Sequence, residues 1–173
     1  MKRCVFFDRD GIVNRSPGPG YVTCWEDFHL LPYFPDVLRI VKAKGYEAVV
    51  ITNQRGVDLG HMDAETVEEI HEKMRQHLRE SHDVDVLDVF YCPHGAEGCD
   101  CRKPKPGMLL AASLMHDIDL EASWMIGDAE RDVAAGKQAG CKTILVSETV
   151  AETTADHAVH SMEELAVHIG EWI

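Results

Sequence analysis

Two aspartates two residues apart, Asp8 and Asp10, close the short apolar run Val5-Phe6-Phe7 and are followed at once by Gly11. Residues i and i+2 of an extended segment point the same way, so both carboxylates can face one site. One can attack an electrophile or hold a metal while the other handles a proton. An acidic turn after a strand would contain the same residues, so the pair gains meaning from what accompanies it. Thr52-Asn53-Gln54 supplies a hydroxyl and amides that can hold phosphoryl oxygens, or forms a simple turn. Arg102-Lys103-Pro104-Lys105 is a basic cluster in an acidic chain, or a solvated loop. Gly127-Asp128 adds a third acid, and Asp132, one helical turn on, a fourth for which helix capping is the plain alternative.

Together these clusters suit phosphoryl transfer, which is mostly positioning and charge stabilisation. Asp8 and Asp128, a backbone carbonyl near Asp10 and waters offer the hard oxygen ligands that Mg²⁺ takes in octahedral geometry. Lys103 and Thr52 can neutralise and orient a phosphoryl group while Asp8 attacks phosphorus and Asp10 protonates the departing oxygen. Competing signatures are missing: the chain has no G-x-x-x-x-G-K-[ST], no G-x-G-x-x-G and no G-x-S-x-G.

A second constellation, Cys92, His94, Cys99 and Cys101, sets three thiols and an imidazole within ten residues. The set suits a closed tetrahedral Zn²⁺ site. Disulfides are the alternative, but Cys99 and Cys101 are too close to pair comfortably and the histidine would be idle. Four protein ligands leave no open position, so the expected metal is structural. It would fold a loop, 92–101, that has almost no apolar residues, and fix Arg102 and Lys103, which follow directly. Cys4, Cys24 and Cys141 are expected to be core or surface thiols, and the other nine histidines solvated or packed.

The elements that must position these groups alternate along the chain. Cys4 to Phe7, Ala48 to Ile51, Val86 to Tyr91, Trp124 to Ile126 and Thr143 to Val146 are buried-strand candidates. Between them lie helices at Pro35 to Lys44, from a cap at Asp63, at Gly107 to His116 and at Glu130 to Ala139. A last helix, Ser161 to Trp172, opens on a capping box of Ser161 and Glu164. The alternation implies an α/β fold with a doubly wound, mainly parallel sheet. Ligands of such sheets bind beyond the carboxyl ends of the strands, where every cluster above falls.

At 173 residues, with 45% hydrophobic content, no repeat and no linker, the chain is expected to form one domain over 1–173. A net charge of −13 argues against a broad nucleic-acid or anionic-membrane surface. No window has the apolar length of a membrane span, and Met1-Lys2-Arg3 leads straight into a strand instead of a signal peptide. The expected setting is a cytoplasmic monomer acting on a small phosphorylated molecule, with its cysteines reduced.

The order of motifs resembles the haloacid dehalogenase (HAD) superfamily of phosphohydrolases. Asp8-Arg9-Asp10-Gly11 is similar to its first motif, Thr52-Asn53 to its second, Lys103 to its third and Gly127-Asp128 with Asp132 to its fourth. The resemblance implies an aspartyl-phosphate on Asp8, Asp10 as general acid and then base, Mg²⁺ on Asp8, Asp10 and Asp128, and no large cap. With the zinc loop added, the chain resembles the subgroup of D-glycero-D-manno-heptose 1,7-bisphosphate phosphatases and histidinol-phosphate phosphatases. Gly20-Tyr21-Val22 and Cys101-Arg102-Lys103-Pro104 resemble the heptose enzymes, whereas the short spacer from His94 to Cys99 is closer to the histidinol-phosphate type. Arg55 stands where the heptose enzymes usually carry Ser, and Ile12 where many members have Thr. Thr52, Asn53, Arg102 and Lys103 are the expected substrate-binding residues, Arg102 because a guanidinium grips phosphate in bidentate fashion. A sugar bisphosphate such as the heptose is the first expected substrate and histidinol phosphate the alternative. Outside enzymes, a phospho-receiver-like domain or a zinc-stabilised, non-catalytic interaction module would also carry some of these features.

Overall fold

The computed structural model describes residues 1–149 and 152–173. Six strands, β1 (Cys4–Phe7), β2 (Glu47–Asn53), β3 (Asp88–Cys92), β4 (Trp124–Gly127), β5 (Lys142–Val146) and β6 (His157–Val159), pair in parallel in the order β3-β2-β1-β4-β5-β6. The helices are α1 (Phe34–Ala43), α2 (Ala64–His82), α3 (Gly107–His116), α4 (Glu130–Ala139) and α5 (Met162–Trp172).

The central strands are continuous apolar runs because both faces of the sheet are covered. Val5 and Phe7 point to one side, into a core with Leu38 and Val41 of α1, Ile70 and Met74 of α2 and Leu165 and Ile169 of α5. Cys4 and Phe6 point to the other, against Met108, Leu109 and Ala112 of α3 and Ala135 of α4. The result is the doubly wound α/β arrangement expected from the alternation of elements.

Several element ends shift by one or two residues, β2 running Glu47–Asn53 where Ala48 to Ile51 was expected, and three further differences stand out. The third strand starts at Asp88 and runs on to Cys92, because the Asp85 carboxylate takes the Val86 N–H at 2.7 Å before pairing begins. The sixth strand, His157–Val159, is too short to carry a pattern; the His157 ring stacks 4.2 Å from Trp172. At α5, Ser161 Oγ accepts from Glu164 N as a capping box requires, but Glu164 Oε2 reaches back to His160 N instead of Ser161 N.

Between Asn14 and Phe34 the chain forms only a 3₁₀ turn, Trp25–Asp27, so no large cap covers the strand ends there. No helix among the described residues is long and apolar enough to cross a membrane. From β1 the chain builds outward to β2 and β3, then crosses to β4 on the other side of β1. The crevice between the carboxyl ends of β1 and β4 is therefore the topological switch point, where such sheets bind ligands. Phe7 pairs with Ile126 there, which sets Asp8 beside Gly127 and Asp128.

Candidate active site

Past β1 the chain stays in register for one more residue, with Asp8 N donating to Ile126 O at 2.9 Å. It then folds into a tight turn in which the N–H groups of Ile12, Val13 and Asn14 all donate to Arg9 O. Asp8 Oδ1 accepts from Arg9 N at 2.7 Å. Lys103 Nζ lies 2.8 Å from the same Oδ1 and 2.7 Å from Asp132 Oδ1, and donates to Ile51 O at 3.1 Å. No donor among the described residues engages Asp8 Oδ2, so one oxygen is fixed and the other is free for chemistry.

Two buried carboxyl groups, those of Asp8 and Asp132, thus share one ammonium, with the half-buried Asp128 beside them. Burial, with Asp132 and Asp128 adding to it and Lys103 opposing it, raises the Asp8 carboxyl to about 7. Burial alone would pull Lys103 down, but Asp132 and Asp8 override it and keep the ammonium charged. Asp128 is raised to about 6, mainly by burial, with Asp132 adding and Arg131 and Lys103 opposing. Asp128 Oδ1 is buried without a hydrogen-bond partner, and Asp8, Asp128 and Asp132 can bring one oxygen each within 4.8 Å of one another. An excess of negative charge and an orphaned buried oxygen fit a small divalent cation. Asp132 is already engaged: Oδ1 by Lys103, Oδ2 by the Ala129 N–H at 3.1 Å, where it also caps α4. Asp8 and Asp128 are therefore the carboxylates open to the ion.

Two glycines allow this crowding. Gly11, at φ +95°, lies so near Asp128 that a Cβ would overlap its carboxylate, and a Cβ on Gly127 would overlap Asp132. Asp10 is caged differently. Its Oδ1 accepts from Asn14 Nδ2 at 2.9 Å and Arg9 Nη2 at 3.0 Å, and its Oδ2 from Gln54 Nε2 at 3.0 Å. The expected second cluster divides its duties. Thr52 is buried, with its hydroxyl accepting from Gln54 Nε2 at 2.9 Å. The Asn53 amide is taken by the Lys103 backbone at both ends, 3.0 Å each, so it positions the lysine instead of offering that amide to a phosphoryl group.

A cavity of about 190 Å³ opens on this cluster, lined by Asp10, Asn53, Asp128, Arg55, Arg102 and Arg131 together with residues 16–21. A larger cleft of about 580 Å³ adjoins it, sharing Ser16 and Asp128 and running to the loop after β5.

The match to known proteins follows this geometry. A model of the HAD-hydrolase-like family matches residues 100–171. The D-glycero-beta-D-manno-heptose-1,7-bisphosphate 7-phosphatase of Pasteurella multocida (strain Pm70) is 38% identical over 163 residues, covering 90% of this chain and 87% of that protein. The chain belongs to this family of HAD-type phosphatases. The enzyme of the same name from Escherichia coli (strain K12) is 36% identical over 175 residues, 93% of this chain and 90% of its own. A crystal structure of D,D-heptose 1.7-bisphosphate phosphatase from B. bronchiseptica, complexed with magnesium and phosphate, superposes with a TM-score of 0.87 at 30% identity, covering 99% of both chains.

In this HAD-type phosphatase the four residues of the expected metal loop also meet. Cys92 Sγ lies 3.0 Å from Cys101 Sγ, 3.6 Å from Cys99 Sγ and 3.4 Å from His94 Nδ1, and His94 Nδ1 lies 3.2 Å from Cys101 Sγ. A tetrahedral site with Zn–S bonds of about 2.3 Å has S···S edges of about 3.8 Å; these contacts are somewhat shorter, but all four ligand atoms lie within 4.8 Å of one another, so the donor set could hold a metal ion. Cys4 and Cys141 are buried in the core and Cys24 is half-buried, outside this cluster.

Sequence reasoning assigned no role at the site to Arg9, Arg55, His71 or Arg131. Arg131 and Arg55 join Arg102 at the cavity; Arg131 looked like one more polar residue of a helix start. His71, one of the histidines expected to be merely packed, lies 3.1 Å from Arg9 Nη1. Arg9, between the two aspartates, is fully buried, a fate that no spacing rule forecasts.

Proposed function

We propose that this phosphatase hydrolyses one phosphomonoester of a sugar bisphosphate, with D-glycero-β-D-manno-heptose 1,7-bisphosphate losing its 7-phosphate as the leading candidate. The observation that carries the reading is one cavity lined by groups of opposite charge: Asp10 and Asp128, the latter beside Asp8, together with Arg55, Arg102 and Arg131. The acids suit the reacting phosphate with a cation, and the arginines, none of them in an ion pair among the described residues, suit a second phosphate. The names of the relatives support the same substrate.

In this reading an Asp8 carboxylate oxygen attacks phosphorus, the bond from phosphorus to the sugar oxygen breaks, and Asp10 delivers a proton to that oxygen. Asp10 then takes a proton from water as the water oxygen attacks the aspartyl-phosphate and frees Asp8. Lys103 holds one Asp8 oxygen and offsets charge on the transferring group. Asp132 and Asn53 hold Lys103. Asp8, Asp128 and the Asp10 backbone carbonyl would hold Mg²⁺, which when bound neutralises and orients phosphoryl oxygens. Cys92, His94, Cys99 and Cys101 would hold Zn²⁺ as a structural ion at the root of the loop bearing Arg102 and Lys103.

The test is steady-state kinetics on both heptose bisphosphate anomers and histidinol phosphate, with acid-quench trapping of phosphoenzyme in wild type and Asp8→Asn. A kcat/KM favouring the β-heptose bisphosphate, and labelling that disappears in Asp8→Asn, are expected. A preference for histidinol phosphate overturns the substrate, and undiminished turnover in Asp8→Asn overturns the covalent route.

A further inference from the structure

The Arg9 guanidinium is completely buried, and it faces two ways. Toward the cavity, its Nε and Nη2 grip Asp10 Oδ1 at 3.2 and 3.0 Å, and Nη2 also reaches Oδ2 at 3.2 Å. Away from the cavity, Nη1 meets His71 Nε2 at 3.1 Å. A guanidinium has donors only, so Nε2 must accept, which leaves the proton of the ring on Nδ1. Burial, together with Arg9 and against Asp10, lowers His71 to about 3, in keeping with a neutral ring. The ring is held on its other side by Tyr91, edge-on at 5.8 Å, and the Tyr91 hydroxyl is tied to Glu68.

We infer that His71 is a positioning residue for the proton transfers of this enzyme: from α2, without touching substrate, it locks the Arg9 fork that aims the Asp10 carboxyl at the leaving oxygen. An arginine in an apolar interior with a free N–H would turn to find an acceptor, because an unsatisfied buried donor is costly. His71 removes that alternative by accepting from Nη1, so Nε and Nη2 stay on Asp10. Asp10 must give a proton to an alkoxide and later take one from water at the same place, so its orientation counts in both half-reactions. Asn14 and Gln54 steady the same carboxylate from other directions, but only the Arg9 fork spans both its oxygens.

The inference rests on Asp10 acting as proton donor, and leaving-group dependence separates the two claims. In kcat/KM, which reports the phosphorylation half-reaction, a sugar phosphate needs the proton and 4-nitrophenyl phosphate does not. For His71→Leu the expected result is a loss of about tenfold or more with the sugar bisphosphate, against less than about threefold with the aryl ester, part of the 10²–10⁴ that general acid catalysis supplies. His71→Gln, whose amide oxygen can reach Nη1, should recover most of the difference. Equal losses on both substrates, or none on either, would overturn the role of His71. Asp10→Asn, run alongside, should show the same selectivity more strongly; if it does not, the reading of Asp10 fails whatever His71 does. Should His71→Leu not fold, ¹⁵N NMR of wild-type His71 still decides: an Nδ1–H ring with unprotonated Nε2 is expected, and an Nε2–H ring or an imidazolium at neutral pH would refute the contact.

Discussion

Lys103 Nζ stands 2.7 Å from Asp132 Oδ1, and neither side chain reaches solvent. The pair explains why a fourth acid follows Asp128 by one helical turn. A buried ammonium facing only Asp8 would pull that carboxylate into a closed ion pair. With Asp132 on its other side, Lys103 is divided between two partners and Asp8 keeps an oxygen free.

Removing one partner of such a buried pair leaves the other uncompensated, which costs about 3–5 kcal/mol. Asp132→Ala is therefore expected to lose that much stability in chemical denaturation, and to lose turnover with it. Asp128→Asn is the contrast. It removes a buried charge that has no direct cationic partner, so the metal-free protein should be as stable as wild type or more so, while turnover falls about a hundredfold or more. A destabilised Asp128→Asn or a neutral Asp132→Ala would show the two roles to be exchanged.

The raised carboxyls set a pH dependence. Asp8 and Asp128 release their protons near the ordinary value of 3.8 in the unfolded chain, but at about 7 and about 6 in the fold. The folded state thus retains protons that the unfolded state has lost, and the metal-free protein should lose stability as pH rises from about 4 to about 7. Mg²⁺ competes with those same protons. Its stabilising shift in Tm is expected to be larger at about pH 8 than at about pH 5, and to vanish in Asp128→Asn. A shift independent of pH would mean that the ion binds elsewhere.

The cluster of Cys92, His94, Cys99 and Cys101 should retain about one zinc per chain through purification. Cys99→Ser or Cys101→Ser should lower the zinc content by elemental analysis and raise KM while lowering kcat, since Arg102 and Lys103 follow the last ligand. Removing Mg²⁺ should act differently, stopping turnover reversibly with the fold retained. A zinc-free preparation of full activity would contradict the structural role.

What was legible beforehand followed from local pattern. Asp8 and Asp10 could be picked out because i and i+2 share a strand face, and the four zinc-loop residues because soft ligands so close together have few other uses. That the site lies at the carboxyl ends of the strands followed from the alternation of elements, whereas the strand order that makes β1 and β4 the switch point did not. Functions that depend on a distant partner were hidden. Nothing around Asn53 announced that its amide would be used up by the Lys103 backbone, and Arg9 had no assigned role because its partner His71 lies 62 positions away. Asp132 is both the expected helix cap and a partner of Lys103, a second role that the sequence did not show, and Gly127 lets it approach closely.

The last prediction concerns the arginines. Arg102 was expected to grip a phosphate of the substrate, but Arg55, in the turn after β2, and Arg131 of α4 line the same cavity, so its positive charge comes from three segments and not from Arg102 alone. Arg131 also faces Asp128 closely enough to oppose its raised carboxyl, which ties it to the reacting end of the cavity, whereas Arg102 leans back on the His94 carbonyl at 3.4 Å. Each alanine variant should weaken a bisphosphate by about tenfold or more in kcat/KM, the loss of a charge-assisted contact worth roughly 1.5–3 kcal/mol. The distinction lies in the monophosphate. A sugar carrying only the reacting phosphate should be nearly indifferent to Arg102→Ala and Arg55→Ala, which would then be contacts to the remote group, but should still suffer from Arg131→Ala. If all three variants treat mono- and bisphosphates alike, the cavity has no separate subsite for a second phosphate and the arginines serve only to gather anions toward Asp8.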